Sequence, residues 1–212
     1  YLRAMEEPPR RALRVNTLKI QPDAFCSLCD FPMTPSGVLP EALFFPADLP
    51  IGRHPLHLAG LCYVQEPAAM LPVTLLDVRP GMRVLDLCAA PGGKSGQIAA
   101  LLEGDGLLVA NEPVGSRAQV LSGNLERLGA VNAAVTNLYP EALSKALPGF
   151  FDRVLVDAPC SGEGMFRKEP AAIRDWSPAN VSACAARQGK ILADAAALLK
   201  PGGRLVYATC TF

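Results

Sequence analysis

Histidine is nearly absent from this chain. His54 and His57 are the only two, so chemistry that depends on an imidazole base has few candidates, and cysteine and carboxylate chemistry come first. Net charge is missing too. Lys and Arg total 20 and Asp and Glu total 20, which removes any global pull toward nucleic acid and leaves RNA contact to local basic clusters. No apolar run approaches the roughly 18 residues that a bilayer span needs. The opening Tyr1-Leu2-Arg3-Ala4-Met5-Glu6-Glu7 lacks the basic-then-apolar order of a secretory signal. An initiator Met is also lacking, and the chain stops at Thr211-Phe212 after a strand-like run, so it reads as part of a longer protein. The seven cysteines are odd in number and spread singly through apolar stretches, which suits reduced thiols in a cytoplasmic protein rather than a disulfide scaffold.

What is present is an ordinary globular composition, 50% apolar and 19% charged over 212 residues. That length supports one sizeable core with a small appended segment. Residues 1–62 are rich in proline, and short apolar pieces such as Arg14-Val15-Asn16-Thr17-Leu18 and Ala42-Leu43-Phe44-Phe45 alternate with turn signals such as Pro35-Ser36-Gly37. This predicts a small α+β domain. Residues 63–212 change texture. A helix is expected from Gln65-Glu66-Pro67, with Pro67 at a tolerated early position. Strand-like Val84–Cys88, Leu107–Ala110, Ala133–Val135, Val154–Val156 and Arg204–Ala208 then alternate with helices. One helix places Ala118, Leu121, Leu125 and Leu128 on a single face. A long one runs from Pro178 to Pro201-Gly202-Gly203, carrying Val181, Ala185, Leu192, Ala195 and Leu199. The alternation predicts βαβ units and a doubly wound, mostly parallel Rossmann-like sheet with ligands at the carboxyl ends of its strands.

Asp86-Leu87-Cys88-Ala89-Ala90-Pro91-Gly92-Gly93-Lys94 falls at a strand-to-helix turn. Small residues and paired glycines let backbone approach a ligand, and the next helix offers free N–H groups. A phosphate-binding P-loop would need Gly at Cys88, and G-x-G-x-x-G is absent. Glu112 ends the next strand, where an acidic side chain can accept both ribose hydroxyls of an adenosine.

Asp157-Ala158-Pro159-Cys160 closes a buried strand, and Cys210 lies just past the neighbouring one. Adjacent parallel strands would bring both thiols to the rim that carries the glycine turn. Cys26, Cys62, Cys88 and Cys184 are assigned to apolar packing. Two thiols and a carboxylate suit methylation at carbon 5 of cytosine, which is too electron-poor to be methylated directly. A thiolate added at carbon 6 makes carbon 5 nucleophilic, a carboxyl on the ring nitrogen assists, and a base then removes the carbon 5 proton.

Leu85 through Lys94, Asp157-Ala158-Pro159-Cys160-Ser161-Gly162 and Ala208-Thr209-Cys210-Thr211 together resemble the Sun-type (Fmu/Sun) RNA 5-methylcytosine methyltransferases, leaning to the bacterial RsmF-like branch acting on small-subunit ribosomal RNA. Arg14-Val15-Asn16-Thr17 and Val64-Gln65-Glu66-Pro67 extend the resemblance over nearly the whole chain. It implies S-adenosyl-L-methionine as cofactor, with Cys88, Ala89, Ala90, Pro91, Gly92, Gly93 and Lys94 around its amino-acid moiety, Glu112 at its ribose, Arg117 in support and Asn137 near the adenine. Asp157 would lie by the transferred methyl group and the target base. The resemblance makes Cys210 the attacking thiol and Cys160 the one that helps release product. DNA cytosine methyltransferases use the Pro-Cys thiol, so the reverse order is the internal rival. Relatives continue past the second thiol with further strands, which implies a C-terminally truncated methyltransferase domain. RNA is the expected partner, ribosomal first and transfer RNA second, with the oligomeric state left open and a monomer favoured. A nitrogen-directed methyltransferase and a non-catalytic RNA-binding protein are the other classes compatible with the fold.

Three further features carry weaker signals. Cys26-Ser27-Leu28-Cys29 with His54 and His57 has metal-like spacing but lacks the two spaced pairs of a structural zinc site; no metal is expected. Arg10-Arg11, Arg14, Lys19 and Arg167-Lys168 are candidates for phosphate contact. Trp176 suits either base stacking or helix packing.

Overall fold

The computed structural model describes residues 10–211; residues 1–9 of the expected small domain, and Phe212, lie outside the described residues. Four short strands form an antiparallel sheet in the order β2-β3-β1-β4: β1 (Ala12–Val15), β2 (Thr34–Pro35), β3 (Ala42–Phe44) and β4 (Cys62–Val64). The expected boundary at 62/63 falls inside β4, so the small sheet runs on to Val64. Side chains alternate across β1. Leu13 and Val15 join Phe25 of α1 (Pro22–Leu28), Leu43, Phe45, Ile51 and Cys62 in one core. Ala12 and Arg14 face the other way, toward the rest of the chain, and all four β1 residues are buried. A short helix α2 (Pro55–Leu58) leads into β4.

The larger unit is a five-stranded, wholly parallel sheet in the order β7-β6-β5-β8-β9: β5 (Arg83–Asp86), β6 (Leu107–Asn111), β7 (Ala133–Thr136), β8 (Phe151–Asp157) and β9 (Leu199–Ala208). Helices cover both faces, as right-handed crossovers require. On one side α3 (Pro67–Leu76), α4 (Gly93–Leu102) and α5 (Gly115–Leu128) pack Val73, Ile98 and Leu121 on Val84, Leu108 and Leu155. On the other, α6 (Pro140–Ala146) and α8 (Pro178–Leu198) pack Leu143, Ile191 and Ala195 on Leu85, Val109 and Val154. A short α7 (Pro170–Asp175) precedes α8. The strand order reverses between β5 and β8, the switch point at which such sheets open a crevice. No helix among the described residues is long and apolar enough to cross a membrane.

Pro67 starts α3, and α5 buries the four residues expected. Two expectations need correction. The face that α8 buries is Cys184, Ile191, Ala195 and Leu198, while Ala185 is exposed; this helix is alanine-rich on all sides, so apolar spacing does not choose a face. It also stops at Leu198, and Pro201-Gly202-Gly203 lies within β9. There the register jumps from Leu199 opposite Phe151 to Arg204 opposite Arg153, and the extra residues bulge out.

The small sheet is bonded to the large unit. Asn16, buried, donates through Nδ2 to the carbonyls of Gly60 and Leu128 at 2.8 Å each. Lys19 Nζ donates to the carbonyls of Arg127 (2.7 Å) and Ala59 (2.9 Å). These groups satisfy free carbonyls at the C-terminus of α5, where a cation also meets the negative dipole end.

Candidate active site

The glycine turn at the end of β5 is held from several directions. The Ala89 N–H donates to the carbonyl of Asn111 (2.9 Å), and Asn111 Nδ2 donates to that of Leu87 (3.2 Å). Gly92 caps α4 with φ of 110°, a left-handed conformation that favours glycine. Gly93 has another reason to be glycine: a Cβ there would stand 3.0 Å from the Tyr63 ring and 3.5 Å from the Gln65 side chain. Its carbonyl accepts from Arg14 Nη1 at 2.8 Å. The second glycine of the pair therefore leaves room for Tyr63 and Gln65 against the turn.

A cavity of about 1010 Å³ opens at the switch point. The glycine turn contributes Cys88, Ala89, Ala90, Pro91, Gly93 and Lys94 to its wall. The strand ends opposite contribute Asp157, Cys160 and Cys210, and the small sheet contributes Ala12, Tyr63 and Gln65. Gly92, Glu112, Arg117 and Asn137 are not in this wall; the last three form a bonded group beside it. Arg117 reaches the Glu112 carboxylate (3.3 Å) and donates to the carbonyl of Ala90 (3.2 Å), Asn137 Nδ2 donates to the Glu112 carbonyl (2.6 Å), and Glu112 itself is buried.

The two sulfurs converge. Cys160 Sγ and Cys210 Sγ lie 3.1 Å apart, from segments fifty positions apart in the chain. Asp157 Oδ2 accepts from Lys94 Nζ at 2.6 Å. Withdrawal from water, then the hydrogen bond to Cys160, pushes the Cys210 thiol up to about 12. Burial lifts Cys88 to about 12 as well, with the charges of Asp86, Glu112 and Asp157 adding to it, so Cys88 is a neutral thiol at physiological pH. Burial also raises Asp86 to about 7, although Ser95 Oγ donates to its Oδ2 at 2.7 Å. Asp86 Oδ1 and Gln65 Oε1 are buried with no hydrogen-bond partner among the described residues, and both residues line the cavity.

Several basic candidates are already engaged. Arg14 is fully buried, and Lys19 is spent on carbonyls. Arg11 donates to the carbonyls of Ala47 and Leu49, both at 2.8 Å, and Lys168 pairs with Glu66. Arg10, exposed on the cavity wall, lies over the Phe44 ring. Trp176 Nε1 donates to Glu163 at 2.7 Å. Cys26 is exposed rather than packed. His54 faces Asp30 at 3.2 Å, and among the described residues no three His, Cys, Asp or Glu side chains converge as a metal site. The residues that composition and spacing left unmarked are Tyr63, Gln65, Glu163 and Gly164. For Glu163 the available signal was an acid three positions after a candidate catalytic cysteine.

A parallel sheet of this order, with a glycine turn after β5 and a buried acid after β6, defines the Rossmann-like class I methyltransferase fold. The chain belongs to the 16S rRNA methyltransferase RsmB/F family, whose model matches residues 73–212, and a model of the N-terminal domain of 16S rRNA methyltransferase RsmF matches residues 1–67. It is 44% identical to "Ribosomal RNA small subunit methyltransferase F" of Cronobacter sakazakii, an alignment covering 100% of this chain and 46% of that protein. The chain therefore spans about half the length of the curated relatives it matches. Among solved structures, a methyltransferase homolog protein from Pyrococcus horikoshii is 33% identical with a TM-score of 0.85, covering 98% of this chain and 67% of that one. NSun6 from the same organism, solved with SFG, shares the fold at 21% identity and a TM-score of 0.88, covering 100% of this chain and 78% of that one.

Proposed function

We propose that this chain carries the methyl-transfer machinery of an S-adenosyl-L-methionine-dependent RNA cytosine-5 methyltransferase acting on small-subunit ribosomal RNA. The observation that carries it is the approach of Cys160 and Cys210 to 3.1 Å, beside Asp157, on the wall of one cavity. Methylation of a nitrogen has no use for a thiol, let alone two.

The residues fit the cofactor. Asp86 Oδ1 and Gln65 Oε1 are buried acceptors without donors, suited to an ammonium group. The first amides of α4 lie at the positive end of its dipole and suit a carboxylate. Glu112, held by Arg117, would take the ribose hydroxyls, with Asn137 beside the adenine. When bound, the cofactor supplies an electrophilic methyl group.

The protein's own groups do the rest. The Cys210 sulfur bonds to carbon 6 of the cytosine as its thiol proton passes to the nearby Asp157 carboxylate, and the electron pair of the 5,6 double bond becomes available at carbon 5. Asp157, oriented by Lys94, passes that proton to the ring nitrogen that gains electron density. Once carbon 5 is methylated, its proton goes to a base and the sulfur–carbon bond breaks, a step in which Cys160 assists. The base must be flipped out of its stack to enter the cavity. The partner is ribosomal RNA and the location cytoplasmic.

The test is an RNA carrying 5-fluorocytidine, whose carbon 5 has no proton to lose. A denaturant-resistant protein–RNA adduct is expected, and it should vanish in Cys210→Ala. Loss in Cys160→Ala alone would reverse the thiol roles. Absence of any adduct would overturn the cytosine-5 assignment.

A further inference from the structure

The β8–β9 ladder ends before the thiols. Its last pair is Asp157 with Ala208, followed by one hydrogen bond from the Ala158 N–H to the carbonyl of Ala208 (2.9 Å). Cys160 and Cys210 therefore sit on two loop segments past the end of the sheet, where strand pairing no longer fixes their separation. Glu163 takes over there. Ser161 Oγ donates to its two carboxylate oxygens at 2.9 and 2.8 Å, Thr211 Oγ1 donates to Oε2, and Trp176 Nε1 donates to Oε1 at 2.7 Å. Ser161 directly follows Cys160 in the chain, and Thr211 directly follows Cys210.

The next residue adds a backbone tie. The Gly164 N–H donates to the Cys210 carbonyl at 2.6 Å. A Cβ on Gly164 would lie 2.6 Å from that oxygen and 3.3 Å from its carbon, so any larger residue must push the Cys210 segment away. Glu163 itself is not in the cavity wall.

We infer that Glu163 is a positioning residue: its carboxylate, bridging Ser161 and Thr211, sets the spacing of the Cys160 and Cys210 sulfurs. The inference rests on the two-thiol chemistry proposed above. A carboxylate is suited to this work because it is acceptor-only and offers about four lone-pair sites to the converging donors. Charge-assisted bonds of this kind are roughly twice as strong as neutral ones. The Thr211 hydroxyl, opposed next by burial and then aided by Trp176, a backbone N–H and Ser161, holds the Glu163 carboxyl down to about 2, so it is ionised throughout the physiological range. A glutamine at this place would put an N–H₂ donor where an acceptor is needed.

The experiment uses the full chain and three readouts. The first is the rate at which the azo oxidant diamide links Cys160 to Cys210, followed by peptide mapping in the absence of RNA. The second is adduct formation with 5-fluorocytidine RNA, and the third is the Kd for S-adenosyl-L-methionine. Glu163→Gln and Thr211→Val are expected to slow both cross-linking and adduct formation by on the order of tenfold to a hundredfold, the scale of a 1 Å misplacement, while cofactor Kd stays within about twofold, since the clamp lies outside the cofactor turn. Thr211→Ser keeps the hydroxyl and should recover most of the loss. Gly164→Ala, which leaves the carboxylate intact, should slow cross-linking independently of how well Glu163→Gln folds. A cross-linking rate at the wild-type level in Glu163→Gln and Gly164→Ala overturns the inference. Slowed cross-linking with no adduct in the wild type would support the clamp and sink the cytosine-5 proposal instead.

Discussion

Lys94 and Asp157 meet at 2.6 Å, ammonium to carboxylate, and so join the first turn of α4 to the end of β8. The glycine turn and the strand end that carries the first thiol are thereby one bonded unit across the switch point. Lys94 is mostly buried and Asp157 about one-third exposed. Removing the cation should therefore misdirect the carboxylate rather than merely weaken a surface pair. Lys94→Met is expected to lower single-turnover methyl transfer on the order of a hundredfold. Single-turnover transfer unchanged from wild type would dissociate Lys94 from the orientation of Asp157.

Asp86 gives a stability prediction opposite in sign to that of most carboxylates. Burial raises it from 3.8 to about 7, so the folded chain binds more protons than the unfolded one between those values, and stability falls as pH rises through that window. Asp86→Asn removes the dependence and can keep the bond from Ser95. Without cofactor, its melting temperature should exceed that of the wild type at pH 8 and approach it near pH 4, while cofactor affinity drops. A melting-temperature difference that does not vary with pH would contradict this.

With Cys210 as the proposed attacking thiol, pushed up to about 12, the reading predicts a pH profile. The thiolate fraction rises about tenfold per pH unit as long as pH lies below that value. Adduct formation with 5-fluorocytidine RNA should climb steadily from pH 7 to 9.5. A plateau near pH 8 would mean that RNA binding lowers the thiol or that another group is the nucleophile.

Asn16 closes two buried carbonyls, those of Gly60 and Leu128, with a single amide. Asn16→Ala leaves both unsatisfied, at a cost of about 2–4 kcal/mol, and thermal melting should fall by roughly 5–15 °C. A loss of 1 °C or less would show that solvent enters the junction and replaces the amide.

The sheet, its helices and the thiol-bearing strand ends were legible because β-strands bounded by turn residues, and helices such as α5 with one clean apolar face, carry their fold in local pattern. The long helix α8 did not, since alanine on every side leaves the buried face to tertiary packing. The basic residues near the start misled for a related reason. Arg14 reads as a surface cation until the alternation along β1 is combined with what lies across from it, and that partner, the Gly93 carbonyl, is far away in sequence. The place of Glu163 after Cys160 marked its neighbourhood but not its role, because its donors come from three separate segments, a relation no single stretch of residues displays. The ranking of the two thiols came from the family resemblance alone.

Strand β1 serves two interiors at once, with Leu13 and Val15 facing one and Ala12 and Arg14 the other. The unit with the parallel sheet is for that reason tied to residues that a cut at residue 62 would remove. Its chamber would lose a flank, the start of α4 would lose its guanidinium, and the far end of α5 would be left bare. A ligand seated in that chamber would touch both units at once, so its binding would tighten the hold of the small sheet.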